Sequence, residues 1–555
     1  MAVFANACQD LSGVWEFTFT KKSLENISLA DTHFDSFATV PGCFDLLPGS
    51  KFQRGTGIYR KTVTFSGPAE LTLHGIGLRG AVYWDGKLLG EIDAPFSKRT
   101  FRFDAGKGKS HELIIAVNNE FDTAPSSLFK PNYDFYAHGG IFRKVTIAQA
   151  KSIFAEYVKL LPVDIEKGTL EVSVKLGGEF EKVESAQLFF DDSETPHTLK
   201  ISNGTGKGVF QVPNHKIWSP ENPALHKAVL KTGDWEYASN FGFRQISIAD
   251  GKLFFNGKRL KIAGTNRHDA HPDFGYAAPQ SIRLQDLLML KAQGFNCLRG
   301  CHYPQDEEFL DMCDTLGMMV WEESLGWGNK EEDLADPLFR ERQLKETERM
   351  VCKSINHPCV IMWGFLNECA SETPAAPGII APIAAMLREA DPSRPITFAS
   401  HRLQKDICLD LIDIISFNTY PCWYAGEPDQ FFNKECLLNQ LKTLAEYASA
   451  PEYRNKPLII SEIGAEAIPG NHSEMRWSEE YQAGLLSETM KFILDTDRYT
   501  GTFLWQFCDS RTYVSCASQC RTSGFNNKGM VTGGRMPKAS WHAVGKVIKE
   551  YLNGQ

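Results

Sequence analysis

Two rhythms of apolar and polar positions divide the chain. Over residues 1–149, short runs such as DLSGVWEFTF, IYRKTVTF, AELTLHGI and HELIIAVNN are rich in β-branched and aromatic residues and separated by Gly, Pro and Asp. That is the pattern of antiparallel strands in a β-sandwich. Asp85 and Gly86, set between AVYW and KLLGEI, predict a tight hairpin. A second set of runs, including GTLEVSVKL, ESAQLFFD and SNFGFRQISI, repeats the rhythm over residues 150–249 and predicts an immunoglobulin-like β-sandwich.

From residue 250 to 555 the rhythm becomes strand then helix. Eight apolar runs appear, at 260–265, 296–300, 318–321, 360–366, 396–399, 412–417, 458–460 and 501–507. Helix-period segments lie between them, such as IRLQDLLMLKAQG, in which Leu284, Leu287 and Leu288 are expected to share the buried face and Gly294 to end the helix. Eight such units predict a (β/α)8 TIM barrel, whose active site forms at the carboxyl ends of the strands. The polar residues just after each run then meet in one crater. They are His268, Asp269 and His271; Arg299 and His302; Glu322 and Glu323; Asn367 and Glu368; Asn418 and Tyr420; Glu462; Trp505 and Asp509.

Glu368 and Glu462 each close an almost wholly apolar run, VIMWGFLNE and LIISEIGAE. A carboxylate at the mouth of a buried strand is partly desolvated, so burial and its neighbour tune its pKa. Two such groups facing one bond are the equipment of glycoside hydrolysis. The three histidines among acids would also suit zinc or iron, but no HExxH or comparable spacing anchors them, and no metal or other cofactor is expected.

Composition narrows the partners. A chain of 555 residues with 43% hydrophobic and 23% charged residues needs more than one core. A net charge of -9 without a dense basic run argues against nucleic acid or an anionic membrane as the partner. No apolar stretch of about 18 residues is present to span a bilayer. Fourteen cysteines, several inside apolar runs and none in a paired CxxC zinc pattern, predict free thiols and a cytoplasmic location. A homo-oligomer is expected.

The motifs LSGVWEF, VPGCFD, DFYAHGGIFRKV, GFR at 242–244, GTNRHD, CHYP, WGFLNE and SEIGAE, in that order, resemble glycoside hydrolase family 2 along nearly the whole chain. The resemblance implies a jelly-roll-like N-terminal sandwich, an immunoglobulin-like second one and a catalytic barrel, with Glu368 as acid/base and Glu462 as nucleophile of a retaining exo-glycosidase. SGFNNKGMVTGG and NTYPCWY resemble the β-glucuronidases of the family. They imply a terminal β-uronide as substrate, with Asn526 and Lys528 receiving its carboxylate. Asp269, His302, Asn367, Asn418, Tyr420, Tyr424 and Trp505 complete the expected contacts, and Arg521 is not among them. A β-galacturonidase or dual β-hexuronidase of the same family, then a β-galactosidase, and from another class a non-catalytic carbohydrate-binding protein, are the alternatives.

Overall fold

The computed structural model describes residues 8–108, 110–131, 134–424, 430–512, 515–516 and 519–554. In the first part, six antiparallel strands pair in the order Ser36–Val40, Gly13–Thr20, Thr56–Val63, His111–Asn118, Arg79–Trp84 and Lys87–Ile92. Four more, Gln9–Asp10, Val145–Gln149, Pro68–Leu73 and Arg99–Asp104, form a second sheet. Trp15, Tyr59, Leu71, Leu113, Ile115 and Ile147 pack between them in one apolar cluster. The expected hairpin is present: Arg79–Trp84 returns as Lys87–Ile92 through Asp85 and Gly86, at φ 47° and 77°, the left-handed conformation that Gly adopts freely and Asp tolerates.

A seven-stranded antiparallel sheet follows, running from Ile153–Asp164 to Trp235–Phe241. Along Thr169–Gly178 the residues Leu170, Val172, Val174 and Leu176 all point inward, the period of two that the sequence announces. These residues belong to a core of their own.

The barrel strands are Ile262–Arg267, Cys297–Gly300, Met319–Glu323, Val360–Gly364, a divided fifth strand (Ile396–Thr397 and Ala399–Ser400), Ile415–Asn418, Leu458–Ile463 and Tyr499–Leu504. All are parallel, and the eighth pairs with the first. The fifth strand's first half pairs with the fourth strand and its second half with the sixth, so the sheet passes from one neighbour to the other at Phe398. Almost every residue of these strands is buried on both faces, which is why they read as unbroken apolar runs.

One helix departs from expectation. In Gln280–Gln293 the buried residues are Arg283, Asp286, Leu287 and Leu290, while Leu284 and Leu288 are exposed. The helix turns its ionic stripe inward because Asp286 accepts hydrogen bonds from both Arg267 and Arg535, and Arg283 pairs with Asp269 and Asp306. Gly294 ends the helix as expected, in the left-handed conformation at φ 93°. No helix among the described residues is long and apolar enough to cross a membrane.

Candidate active site

A cavity of about 260 Å³ opens at the carboxyl ends of the barrel strands, and both Glu368 and Glu462 line it. Glu462 sits near the end of the seventh strand. Its Oε1 accepts from Arg299 Nη1 at 2.8 Å and its Oε2 from the Tyr420 hydroxyl at 2.7 Å. Glu368 follows the fourth strand on a backbone turned sharply at Leu366 (φ 49°) and at Glu368 itself (φ 53°). Left-handed backbone at two non-glycine residues costs energy and is a common mark of functional sites. Glu368 Oε1 accepts from Asn418 Nδ2 at 2.8 Å. Its side chain is 19% exposed, compared with 4% for Glu462.

Burial pushes both carboxyls above their ordinary pKa. The charge on Glu368 adds to that rise at Glu462, so the two titrate as a pair that shares one proton. The donors decide which group keeps it: among the described residues Glu462 has a guanidinium and a phenol, Glu368 a single amide, so the charge rests on Glu462 and the proton on Glu368.

Arg299 organises the floor. Fully buried, it also donates to Glu323 (2.8 Å), Asn266 (3.0 Å) and Asn367 Oδ1 (2.8 Å). Asn367 Oδ1 in turn accepts from Asn418 at 3.1 Å, and Ser461 donates to Asn418 Oδ1 at 2.7 Å, so the groups beneath both glutamates form one network. Glu323 is pushed up to about 6 by burial, opposed by Arg299. Asn367 Nδ2, His268 Nε2 and His302 Nε2 are buried without a hydrogen-bond partner among the described residues. Unpaired buried donors and acceptors are costly, and these three stand ready for hydroxyl groups. Burial keeps both imidazoles neutral by pushing their pKa values down.

Of the expected contacts, His302, Tyr420, Tyr424 and Trp505 line the cavity, and Asn367 and Asn418 lie directly beneath it. Asp269 is not among the lining residues: its carboxylate is held by Arg283 (2.8 Å) and Arg267 (3.2 Å) in a buried ionic cluster. Lys528 stands one layer back, its ammonium 2.9 Å from Glu466 and 5.0 Å above the Tyr424 ring. Asn526 donates to Asp134 at 3.2 Å.

The cation on the cavity wall is Arg521, which also pairs with Glu466 and, at 2.6 Å, with Asp134. His268, expected in the crater, lines the cavity, and Asp134, Phe135, Trp327, His401 and Arg521 line it without having been expected there. His401 follows strand five and was within reach of the rule that polar residues after barrel strands converge. Asp134 and Phe135 arrive from the first sheet unit, which no strand-counting rule anticipates. His401 Nδ1 lies 3.8 Å from Glu368 Oε2, and burial with the nearby Arg402 pushes its pKa down to about 4.

A larger cleft of about 730 Å³ lies between the two sheet units and the barrel flank. Its acids Glu70, Glu156, Glu236 and Glu307 are each ion-paired, to Arg102, Lys175, Lys231 and Lys98. It therefore offers no carboxyl pair for the chemistry above.

The sequence profile of the TIM barrel domain of glycosyl hydrolases family 2 matches residues 246–552. A β-glucuronidase of Sus scrofa is 30% identical over 475 residues, covering 78% of this chain and 70% of that protein. A β-glucuronidase of Streptococcus agalactiae is 25% identical over 595 residues, covering 98% and 95%. The crystal structure of a family 2 β-galacturonidase from Eisenbergiella tayi bound to galacturonate is similar over 98% of both chains, with a TM-score of 0.87 and 29% identity.

Proposed function

The chain belongs to glycosyl hydrolase family 2, and from that premise we propose that it is a retaining exo-glycosidase that removes a terminal β-D-glucuronic acid. It is a glycoside hydrolase. The observation that carries the mechanism is the carboxyl pair on one cavity, with the donors concentrated on Glu462. Ionised Glu462 attacks the anomeric carbon. As the glycosidic bond breaks, Glu368 gives its proton to the departing oxygen, and a glycosyl ester forms on Glu462. Forming the ester removes the charge on Glu462. Glu368, now ionised, takes a proton from water as that water attacks the anomeric carbon, and both carboxyls return to their starting states. Asn367 Nδ2, unpartnered and fixed through its Oδ1, is aimed to bond a sugar hydroxyl, as are His268 and His302.

The uronate selects through the cluster of Arg521, Lys528 and Asn526. Two cations there face two carboxylates, Glu466 and Asp134. A substrate carboxylate enters by exchanging partners, with Asp134 released toward sugar hydroxyls. Each charge-assisted hydrogen bond gained is worth about 1.5 to 3 kcal/mol. The reading is completed by a jelly-roll-like first unit, an immunoglobulin-like second one and a cytoplasmic location, the last supported by the twelve cysteines that are free among the described residues.

A second reading, a β-galacturonidase, is favoured by the galacturonate-bound relative, which aligns end to end. Measuring kcat/KM on the p-nitrophenyl β-glycosides of glucuronic acid, galacturonic acid and galactose separates the cases. A uronide is expected to exceed galactose by at least about a hundredfold, roughly 2.7 kcal/mol of transition-state discrimination. Whichever uronide wins fixes the configuration at C4, and a preference for galactose would remove the carboxylate receptor. Glu462→Gln is expected to abolish turnover on all three.

A further inference from the structure

Beneath the sugar cavity, three soft ligands converge. His268, Cys301 and His302 are all buried, and one ligand atom of each lies within 4.8 Å of the other two. We propose that this cluster, with Glu462 as fourth ligand, is an inhibitory site for a soft divalent cation such as Zn²⁺. The cation is not a cofactor of the reaction but a block on it.

Four observations carry the proposal. The Nε2 atoms of His268 and His302 have no hydrogen-bond partner among the described residues, although both side chains are almost wholly buried. Each ring is held from behind at its other nitrogen: His302 Nδ1 lies 2.8 Å from Glu323 Oε1, and His268 Nδ1 lies 3.3 Å from the Tyr303 hydroxyl. A carboxylate behind an imidazole is the arrangement that orients histidine ligands of zinc. The two ring centroids are 5.6 Å apart. Two imidazoles bound to one tetrahedral metal through nitrogens about 2.0 to 2.1 Å away hold their centroids roughly 5 to 6 Å apart. His302 Nε2 and Glu462 Oε1 are 3.8 Å apart, close to the spacing of neighbouring ligands around such an ion.

On binding, the Cys301 thiol loses its proton to solvent and the sulfur takes a place on the metal. The ring proton of His268 resides on Nδ1, where the Tyr303 oxygen accepts it. Cys301 thiolate and Glu462 then balance the two positive charges. Arg299 opposes a cation here, and Glu323, which grips its guanidinium, offsets that. Two imidazoles and a thiolate favour zinc over magnesium or calcium.

Inhibition rests on the reading of Glu462 as the nucleophile, whereas binding does not, so the test reads them separately. In full-length protein with Cys8, Cys436, Cys516 and Cys520 changed to Ser, Co²⁺ is titrated and followed by absorption. In parallel, Zn²⁺ is titrated against uronide hydrolysis. The expected result is a sulfur-to-cobalt charge-transfer band saturating at one equivalent, lost in Cys301→Ala. Zn²⁺ inhibition is expected to be competitive with the uronide and at least tenfold weaker in Cys301→Ala. The His302→Ala variant should lose the band too; if it fails to fold, Cys301→Ala decides alone. An absent band, or one that persists in Cys301→Ala, overturns the site. A band without inhibition overturns the role of Glu462 as a ligand. If the wild-type protein cleaves no uronide, the proposed function has failed and the cobalt spectrum still decides the site.

Discussion

Among the described residues Asn418 is the single amide that donates to Glu368, and its effect on the pH profile has a definite sign. Burial raises the Glu368 pKa, and the hydrogen bond from Asn418, which favours the ionised form, holds it down. General acid catalysis needs Glu368 protonated, so kcat/KM falls as the pH rises through that pKa. Asn418→Ala removes the opposing contribution. The alkaline limb is therefore expected to move to higher pH, as read from a pH profile of kcat/KM. A limb that stays in place or moves to lower pH would show that another group sets it. The same role gives Glu368→Gln its signature: a loss of about 10² to 10⁴ on substrates with a poor leaving group, and a much smaller loss with an activated phenol that leaves without a proton. Equal losses on both would detach Glu368 from the leaving group.

The fourth strand, Val360–Gly364, delivers that glutamate, and its position depends on a missing side chain. A Cβ on Gly364 would lie 2.0 Å from Trp321 Nε1, in the middle of the next strand over. Trp321 is wholly buried beside Arg299, whose guanidinium sits 4.8 Å over its ring. Gly364→Ala is expected to destabilise the fold by about 1 to 3 kcal/mol through overpacking and to lower kcat by shifting the Asn367–Glu368 turn. Urea unfolding and steady-state kinetics check both, and an unchanged midpoint would mean that the strand can yield. The barrel strands were legible in the sequence because strands covered on both faces must be apolar throughout, and Glu368 and Glu462 stood out as the charges that break those runs. The helix at Gln280–Gln293 misled because periodicity marks apolar faces, whereas this one buries Arg283 and Asp286 in ion pairs. Asp134 and Arg521 reach the cavity from loops, where no period announces direction; only their meeting at 2.6 Å reveals the role.

At the scale of the whole molecule, one side of the first sheet unit joins the barrel's core. Leu78, Phe96, Phe129, Phe135 and Phe142 belong to the same apolar cluster as the barrel strands, while the interior between the unit's two sheets is a separate core, as is that of the seven-stranded sheet. Phe96 stacks on Tyr303 with centroids 3.9 Å apart, and the Tyr303 hydroxyl accepts from the Asp269 backbone beside His268. Arg143 crosses the same boundary, donating to Phe96 O and to Pro304 O. Unfolding the first unit alone would strip apolar surface and buried polar partners from the barrel, so the two cannot separate cheaply. Calorimetry is therefore expected to give one transition for the first unit and barrel together, with the seven-stranded sheet free to melt on its own. Phe96→Ala should destabilise the joint transition by about 3 to 5 kcal/mol, leave any second transition in place, and reduce kcat because Tyr303 loses its support behind His268. If the variant instead splits off a third transition and the barrel keeps its melting temperature, the shared core is a contact surface between independently stable units, and the wall that Asp134 and Phe135 add to the cavity is then a docked part and not a folded one.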